Sequence, residues 1–259
     1  MKVAILGKVD QKGLSFLKEN EFKVIEIESF EIQNLKEQLK DVDGILLRTT
    51  KLDKEILEHC DNLKIISRHG VGYDNVDLDF LNDNKIALCI TSTSNAVSVA
   101  EHVLSFFIYL TKKLSLSDSL VKEGNFEKRS ELPNFFELYK KKVLIIGFGR
   151  IGKEVAKRCL GFDMEVYVYD PFLDNEIIIR NQCIPIEKNQ GLAIADFITI
   201  HLPLNRDTKN FISQTELNLM RKNSILVNTS RGGIVNENDL CMALAVSYTH
   251  LRAHETIAD

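Results

Sequence analysis

Residues 143–170 read VLIIGFGRIGKEVAKRCLGFDMEVYVYD. The apolar run 143–146 predicts a buried strand, and Gly147, Gly149 and Gly152 follow it at G-x-G-x-x-G spacing. Ile151, Val155, Ala156 and Cys159 continue at helical spacing. A second strand, Glu165–Tyr169, ends on Asp170, eighteen residues past Gly152. Each part has a physical task in holding a dinucleotide. Gly147 permits the tight turn, Gly149 lets backbone approach a pyrophosphate, and Gly152 lets helix pack closely on strand. The helix start, with Arg150 and Ile151, offers free N–H groups and a positive dipole end. Asp170 stands where a carboxylate accepts hydrogen bonds from adenosine ribose hydroxyls. Glycines at this spacing alone are a weak signal; strand, glycines, helix, strand and acid in order specify a Rossmann unit.

Working outward, the first ninety residues alternate in the same way. Strands are predicted over 2–7, 23–28, 44–49, 64–68 and 86–91, and helices over 11–20, 32–40 and 54–60. Such alternation predicts a parallel sheet with helices on both faces. No glycine-rich phosphate loop follows its first strand, so a second dinucleotide site is not expected. Residues 94–113 predict one long helix linking the two α/β units. His102 on it reads as a structural histidine within a packed helix rather than a base. Residues 115–142 read as an irregular connection that includes an exposed helix. Past Asp170, strands are predicted over 183–186, 196–202 and 224–229, with a helical stretch over 208–220.

Composition narrows the function. A content of 44% hydrophobic and 27% charged residues is that of an ordinary globular protein, and the net charge of −4 lacks the basic footprint of nucleic-acid binding. No run of eighteen apolar residues is present, and Met1-Lys2 leads directly into a strand, so neither a membrane span nor a signal peptide is expected. The five cysteines are scattered without a C-x-x-C pair; four lie in apolar stretches and read as reduced, buried thiols of a cytoplasmic protein.

Ligands of open α/β sheets sit beyond the carboxyl ends of strands. Arg48 ends the strand GILLRT, where it could meet an anion or stand solvated. His69-Gly70-Val71-Gly72 forms a glycine turn whose N–H groups could bind a carboxylate; the plain alternative is a strand-to-helix turn capped near Asp74 or Asn75. In the Rossmann unit, His201-Leu202-Pro203 and Asn228-Thr229-Ser230-Arg231-Gly232-Gly233 should line the crevice above the sheet. Arg231 suits a bidentate hold on a substrate carboxylate, with capping a helix or pairing with Glu237 as the alternative.

Four segments together resemble the D-isomer-specific 2-hydroxyacid dehydrogenase family, the phosphoglycerate dehydrogenase branch included. They are SRHGVGYDNVDL (67–78), SNAVSVAEH (94–102), LIIGFGRIG (144–152) with YDP (169–171), and HLPLNRDTKNFIS (201–213) with MRKNSILVNTSRGGIVNENDL (220–240). The resemblance implies two doubly wound α/β parallel-sheet domains. A flavodoxin-like substrate-binding domain over 1–94 would be incomplete, and a Rossmann NAD-binding domain over 95–245 would lack its last strands. It implies that Val71 and Gly72 offer backbone to the substrate carboxylate, with Val71 also near the nicotinamide. It implies that Arg150 and Ile151 meet pyrophosphate and that Asp170 meets ribose. Leu202 and Pro203 would line the adenosine side, and Thr229 and Ser230 would meet the nicotinamide. Arg231 would be the catalytic, substrate-binding arginine, and Arg48 would hint at an anionic substrate tail. The cofactor would be NAD rather than NADP, because Asp170 repels a 2′-phosphate. The implied reaction interconverts a D-2-hydroxy acid and its 2-oxo acid, in a protein whose full-length parent is a homodimer. A non-catalytic NAD-binding co-regulator on the same fold is the alternative.

The family's proton-transfer pair, a histidine and a glutamate in motifs resembling T-P-H and D-V-F-E-x-E-P, has no match here. Residues 246–256, VSYTHLRAHET, read instead as a translated transposon-end sequencing adapter, which makes 246–259 a non-native tail on a truncated chain. His250 and His254 at i, i+4 are a poor metal site without further ligands, and no metal is expected. The chain is therefore expected to be an inactive fragment.

Overall fold

The computed structural model describes residues 1–91, 94–246 and 252–255. The chain divides into two compact units, Met1–Asn95 and Ala96–Ala258.

In the first unit, β1 (Lys2–Leu6), α1 (Gln11–Glu19), β2 (Lys23–Ile27), α2 (Ile32–Gln38), β3 (Gly44–Leu47), α3 (Lys54–Leu57), β4 (Ile65–Arg68), α4 (Leu78–Asp83) and β5 (Ala87–Ile90) follow in turn. The strands form one parallel sheet in the order β2-β1-β3-β4-β5, the flavodoxin-like order. Burial on both faces is why β1 is apolar throughout: Ala4 and Leu6 join Leu35, Leu47 and Ile66 on one side, while Val3 and Ile5 pack on Leu14 on the other. Helix α4 follows the turn after β4, as the strand-to-helix alternative had it, but begins later. Its cap is Asp77, which accepts the Phe80 amide at 2.9 Å, rather than Asp74 or Asn75. Asn75 instead donates its side-chain amide to the Thr50 carbonyl at 2.8 Å. On edge strand β5, Cys89 is exposed, as is Cys241 in the second unit, which corrects the expectation of buried thiols there. Cys159 and Cys183 are buried, and burial pushes their thiols up to about 12 and about 11.

The second unit opens with α5 (Ala96–Lys112) and α6 (Leu114–Lys122), then a 3-10 turn over Phe126–Glu131. It continues as β6 (Lys142–Ile146), α7 (Arg150–Gly161), β7 (Glu165–Tyr169), α8 (Asn175–Arg180), β8 (Ile184–Pro185) and α9 (Lys188–Ile194). The remainder is β9 (Phe197–Ile200), α10 (Gln214–Leu219), β10 (Ile225–Asn228), α11 (Glu237–Val246) and β11 (Arg252–Glu255). All strands are parallel, in the order β11-β10-β9-β6-β7-β8, which is the Rossmann order. The doubly wound class holds for both units. The gap expected at the end of the Rossmann sheet is narrower than the sequence suggested, because Arg252–Glu255 pairs along β10 in sixth place. An unpaired strand edge presents a row of free N–H and C=O groups that accepts such a segment. Residues 247–251 and 256–259, most of the expected tail and His250 with it, lie outside the described residues.

Helices α5 and α7 cover one face, where Phe107 stacks on Phe197 with ring centroids 4.7 Å apart. Leu192, Leu217 and Leu240 cover the other. His102 is exposed on α5, its ring 4.4 Å from that of Phe106, and so is not packed inside. The helix predicted over 208–220 is confined to α10. The Asn205 side chain accepts the Asp207 and Thr208 amides at 2.9 Å each, turning the chain before a helix can start. Helix α10 then begins with a capping box between Ser213 and Glu216, and Glu216 also pairs with Lys188 at 2.8 Å.

The two sheets are fastened alike at their amino ends. Asp43, just before β3, accepts the Lys2 amide at 2.8 Å and the Lys64 ammonium at 2.7 Å. Asp196, just before β9, accepts the Lys142 amide at 3.0 Å and the Arg221 guanidinium at 2.6 Å. In each unit the acid joins the start of the central strand to a cation preceding the next strand over.

Candidate dinucleotide site at the carboxyl end of the second sheet

The strand order of the second unit reverses between β6 and β9, and the carboxyl ends there carry the expected residues. Gly147 has φ of +92°, and a Cβ on it would lie 2.8 Å from the His201 carbonyl oxygen, so the turn admits no side chain. A Cβ on Gly152 would overlap the Gly147 carbonyl oxygen, which is the close helix-to-strand approach the third glycine serves. Gly149 differs: nothing lies within 4 Å of the place its Cβ would take. It opens α7 with no side-chain cap, so the first-turn amides around Arg150, Ile151 and Gly152 meet this open space with the positive end of a twelve-residue helix. An anion fits that place.

Asp170 ends β7. One carboxylate oxygen accepts the Phe148 amide at 2.8 Å and the other the Phe172 amide at 3.0 Å. A carboxylate has about four acceptor positions, so two remain for vicinal hydroxyls. Phe148 is itself fully buried, which anchors the glycine loop from below.

Past β9, Leu202 is half-buried and Pro203 exposed, its carbonyl accepting the Thr208 hydroxyl at 2.5 Å. Past β10, Asn228 shapes the loop. Its side-chain oxygen accepts the Ser230 amide at 3.1 Å and hydroxyl at 2.7 Å, and its side-chain nitrogen donates to the Arg231 carbonyl at 2.8 Å. This clasp fixes Thr229, Ser230 and Arg231 above the sheet. Arg231 is half-buried and donates to the Ser230 carbonyl at 2.7 Å. Asn228 was expected in the crevice, but its role as the clasp was not read, although an asparagine ending an apolar strand is the signal for such a turn.

In the first unit, Arg48 is exposed and donates to the Lys8 carbonyl at 3.2 Å, its Cβ packed over Gly7. Val71 and Gly72 are half-buried in the turn after β4. Gly70, at φ of +153°, leaves room for the Arg68 guanidinium, which bonds the His69 carbonyl.

Thr199 was missed, and His201 was expected only as one of the residues lining the crevice. Thr199 is fully buried within β9, and its hydroxyl lies 2.9 Å from His201 Nε2. Burial pushes the His201 imidazole down to about 3. His201 Nδ1 and the Thr229 hydroxyl are buried and have no hydrogen-bond partner among the described residues. Orphaned polar atoms at the strand ends, an uncapped helix start and an acid with spare acceptors together fit a dinucleotide.

Comparison with known proteins agrees. Residues 104–250 match the family model described as D-isomer specific 2-hydroxyacid dehydrogenase, NAD binding domain. A glyoxylate reductase of Thermococcus litoralis is 35% identical over 262 residues, covering 94% of this chain and 76% of that enzyme. The D-3-phosphoglycerate dehydrogenase of Archaeoglobus fulgidus is 32% identical over 245 residues, covering 94% of this chain and 46% of its own length. The chain thus spans about half the length of that relative. A crystal structure of D-lactate dehydrogenase from Aquifex aeolicus, complexed with NAD and lactic acid, superposes with a TM-score of 0.86 at 27% identity, covering 100% of this chain and 78% of that one.

Proposed function

Since the chain belongs to the D-isomer specific 2-hydroxyacid dehydrogenases, we propose that its protein is an NAD-dependent oxidoreductase interconverting a D-2-hydroxy acid and its 2-oxo acid. The observation that supports this reading is the loop after β10, where the Asn228 side chain bonds Ser230 and the Arg231 carbonyl just past the carboxyl end of the strand. NAD supplies the acceptor for the hydride of substrate C2. Arg231 holds the substrate carboxylate and polarises the neighbouring oxygen, a task its planar fork performs better than lysine. Thr229 and Ser230 face the nicotinamide end, Leu202 and Pro203 the adenosine side, and Arg150 and Ile151 the pyrophosphate. Within the first unit taken by itself, the turn at Val71 and Gly72 has backbone N–H groups suited to a carboxylate, and Arg48 is a cation suited to an anionic group.

These 259 residues contain no match to the family's histidine–glutamate pair. Loss of a general base costs about 10²–10⁴-fold in rate, so we expect this chain to bind NAD with negligible turnover. A homodimer is the expected assembly of the parent; Leu116, Val121, Phe126, Phe135 and Phe136, all exposed along the connection after α5, supply apolar surface for one. The free cysteines fit a reducing, cytoplasmic setting.

Titration calorimetry with NAD, followed by steady-state assay on glyoxylate, lactate and phosphoglycerate, tests the reading. Saturable NAD binding that Arg231→Ala preserves, with 2-oxo acid binding lost in that variant, is the expected result. No NAD binding at millimolar concentration would refute the cofactor site, and ordinary rates in the unsubstituted chain would refute the negligible turnover.

A further inference from the structure

Across the second sheet, side chains alternate strictly between faces. Ile145, Phe197, Ile225 and Val227 pack under α5 and α7, whereas Ile146, Ile198, Ile200 and Leu226 pack on the opposite side. Register pairs Ile145 with Thr199 and Thr199 with Val227, so Thr199 lies on the α5 and α7 face. One step of two residues further brings Gly147, His201 and Thr229 into the next row, at the carboxyl ends of β6, β9 and β10. The Gly147 turn lies directly against the His201 carbonyl. This row therefore runs from the glycine turn, across the point where strand order reverses, to the loop that carries Arg231.

Within the second unit, the buried side-chain polar atoms left without a partner, among the described residues, are His201 Nδ1 and Thr229 Oγ1. Both fall in this one row. An unsatisfied buried polar atom costs about 1–3 kcal/mol, and two of them on neighbouring strand ends mark a place completed by a ligand rather than by the chain. The His201 ring is held from the other side, since Nε2 is engaged by the buried Thr199 hydroxyl at 2.9 Å. Burial keeps the imidazole neutral, so Nδ1 is a hydrogen-bonding atom without a charge.

Resting on the reading of this unit as an NAD site, we propose that His201 is a cofactor-contacting residue. Its Nδ1 hydrogen-bonds an oxygen of the dinucleotide between the pyrophosphate and nicotinamide ends, and Thr199 is the positioning residue that fixes the ring.

The position of the nitrogen makes this testable. Asparagine at 201 keeps a polar atom where Nδ1 stands, glutamine keeps one nearer Nε2, and phenylalanine keeps the ring without either. NAD affinity measured by calorimetry should fall about tenfold in His201→Phe, the loss of one net hydrogen bond. His201→Gln should fall similarly and His201→Asn much less. Thr199→Val, which frees the ring, should weaken NAD binding while the melting temperature changes little. In unsubstituted protein labelled with ¹⁵N-histidine, NAD should move the His201 Nδ1 resonance more than Nε2. That measurement stands even if a variant fails to fold. Unchanged affinity in His201→Phe, glutamine outperforming asparagine, or an Nδ1 resonance indifferent to NAD would each overturn the proposal while leaving the NAD site intact. Absence of NAD binding to the unsubstituted chain would overturn both.

Discussion

Asp170 accepts the Phe148 and Phe172 amides through different oxygens, so it shapes the glycine turn in addition to the ribose contact proposed for it. Asp170→Ala should lower NAD affinity about 10- to 100-fold, the loss of about one net hydrogen bond to a charged acceptor at about 1.5–3 kcal/mol. It should also narrow the preference over NADP, because the charge that repels a 2′-phosphate is gone. Calorimetry with both cofactors checks this; an unchanged NAD affinity would remove Asp170 from the site. The residues legible in the sequence are those whose backbone demands are singular. Gly147 must hold φ of +92° and Gly152 must admit a carbonyl, and only glycine does either. The crevice position of His201 was legible, but its contact with Thr199 was not, because a threonine and a histidine in the run FITIH look like any strand end until alternation places both on one face. For Arg48 the sequence left open an anion or plain solvent, and the structure adds a third partner, the Lys8 carbonyl.

Among the elements, strands were read closely because parallel strands buried on both faces are continuous apolar runs. Short helices were not, since α4 depends on a single Asp77 cap and α10 on whether Asn205 turns the chain first. Neither decision has a periodic signature. The acid before β9 is a similar local decision with a larger reach. Asp196 ties the first amide of β6 to Arg221 across the amino end of the sheet. Asp196→Ala should cost about 1–3 kcal/mol by orphaning the Lys142 amide, read as a lower denaturant midpoint, and should leave NAD affinity untouched. A loss of affinity matching the loss of stability would show that the sheet's two ends are not independent.

For the molecule as a whole, acid is the condition that should separate its parts. The unfolded chain binds a proton at His201 near pH 6.5, whereas the folded imidazole waits until about 3. Between those values the unfolded state holds more protons, so stability falls as pH falls below 6.5, by up to about 1.4 kcal/mol per pH unit. At Glu216, desolvation favours the proton, but hydrogen bonds from Lys188 and Ser213 outweigh it and hold the carboxyl down at about 2. Its contribution is present above about 4.5 and lost toward 2. The second unit should therefore weaken in two stages, first the histidine's and then the glutamate's, with Glu216→Gln removing the later one. Urea midpoints from pH 7 down to about 2 check this, and a flat profile from 7 to 5 would exclude it. The paired fastening by Asp43 and Asp196 has a consequence for redesign. Within each sheet the strands are parallel, so the clamp stands at one end of its sheet and the loops at the other. Loops after β9 and β10 could be exchanged for those of a relative with another substrate, and the recipient would keep its anchorage because nothing that holds the strands together travels with the graft.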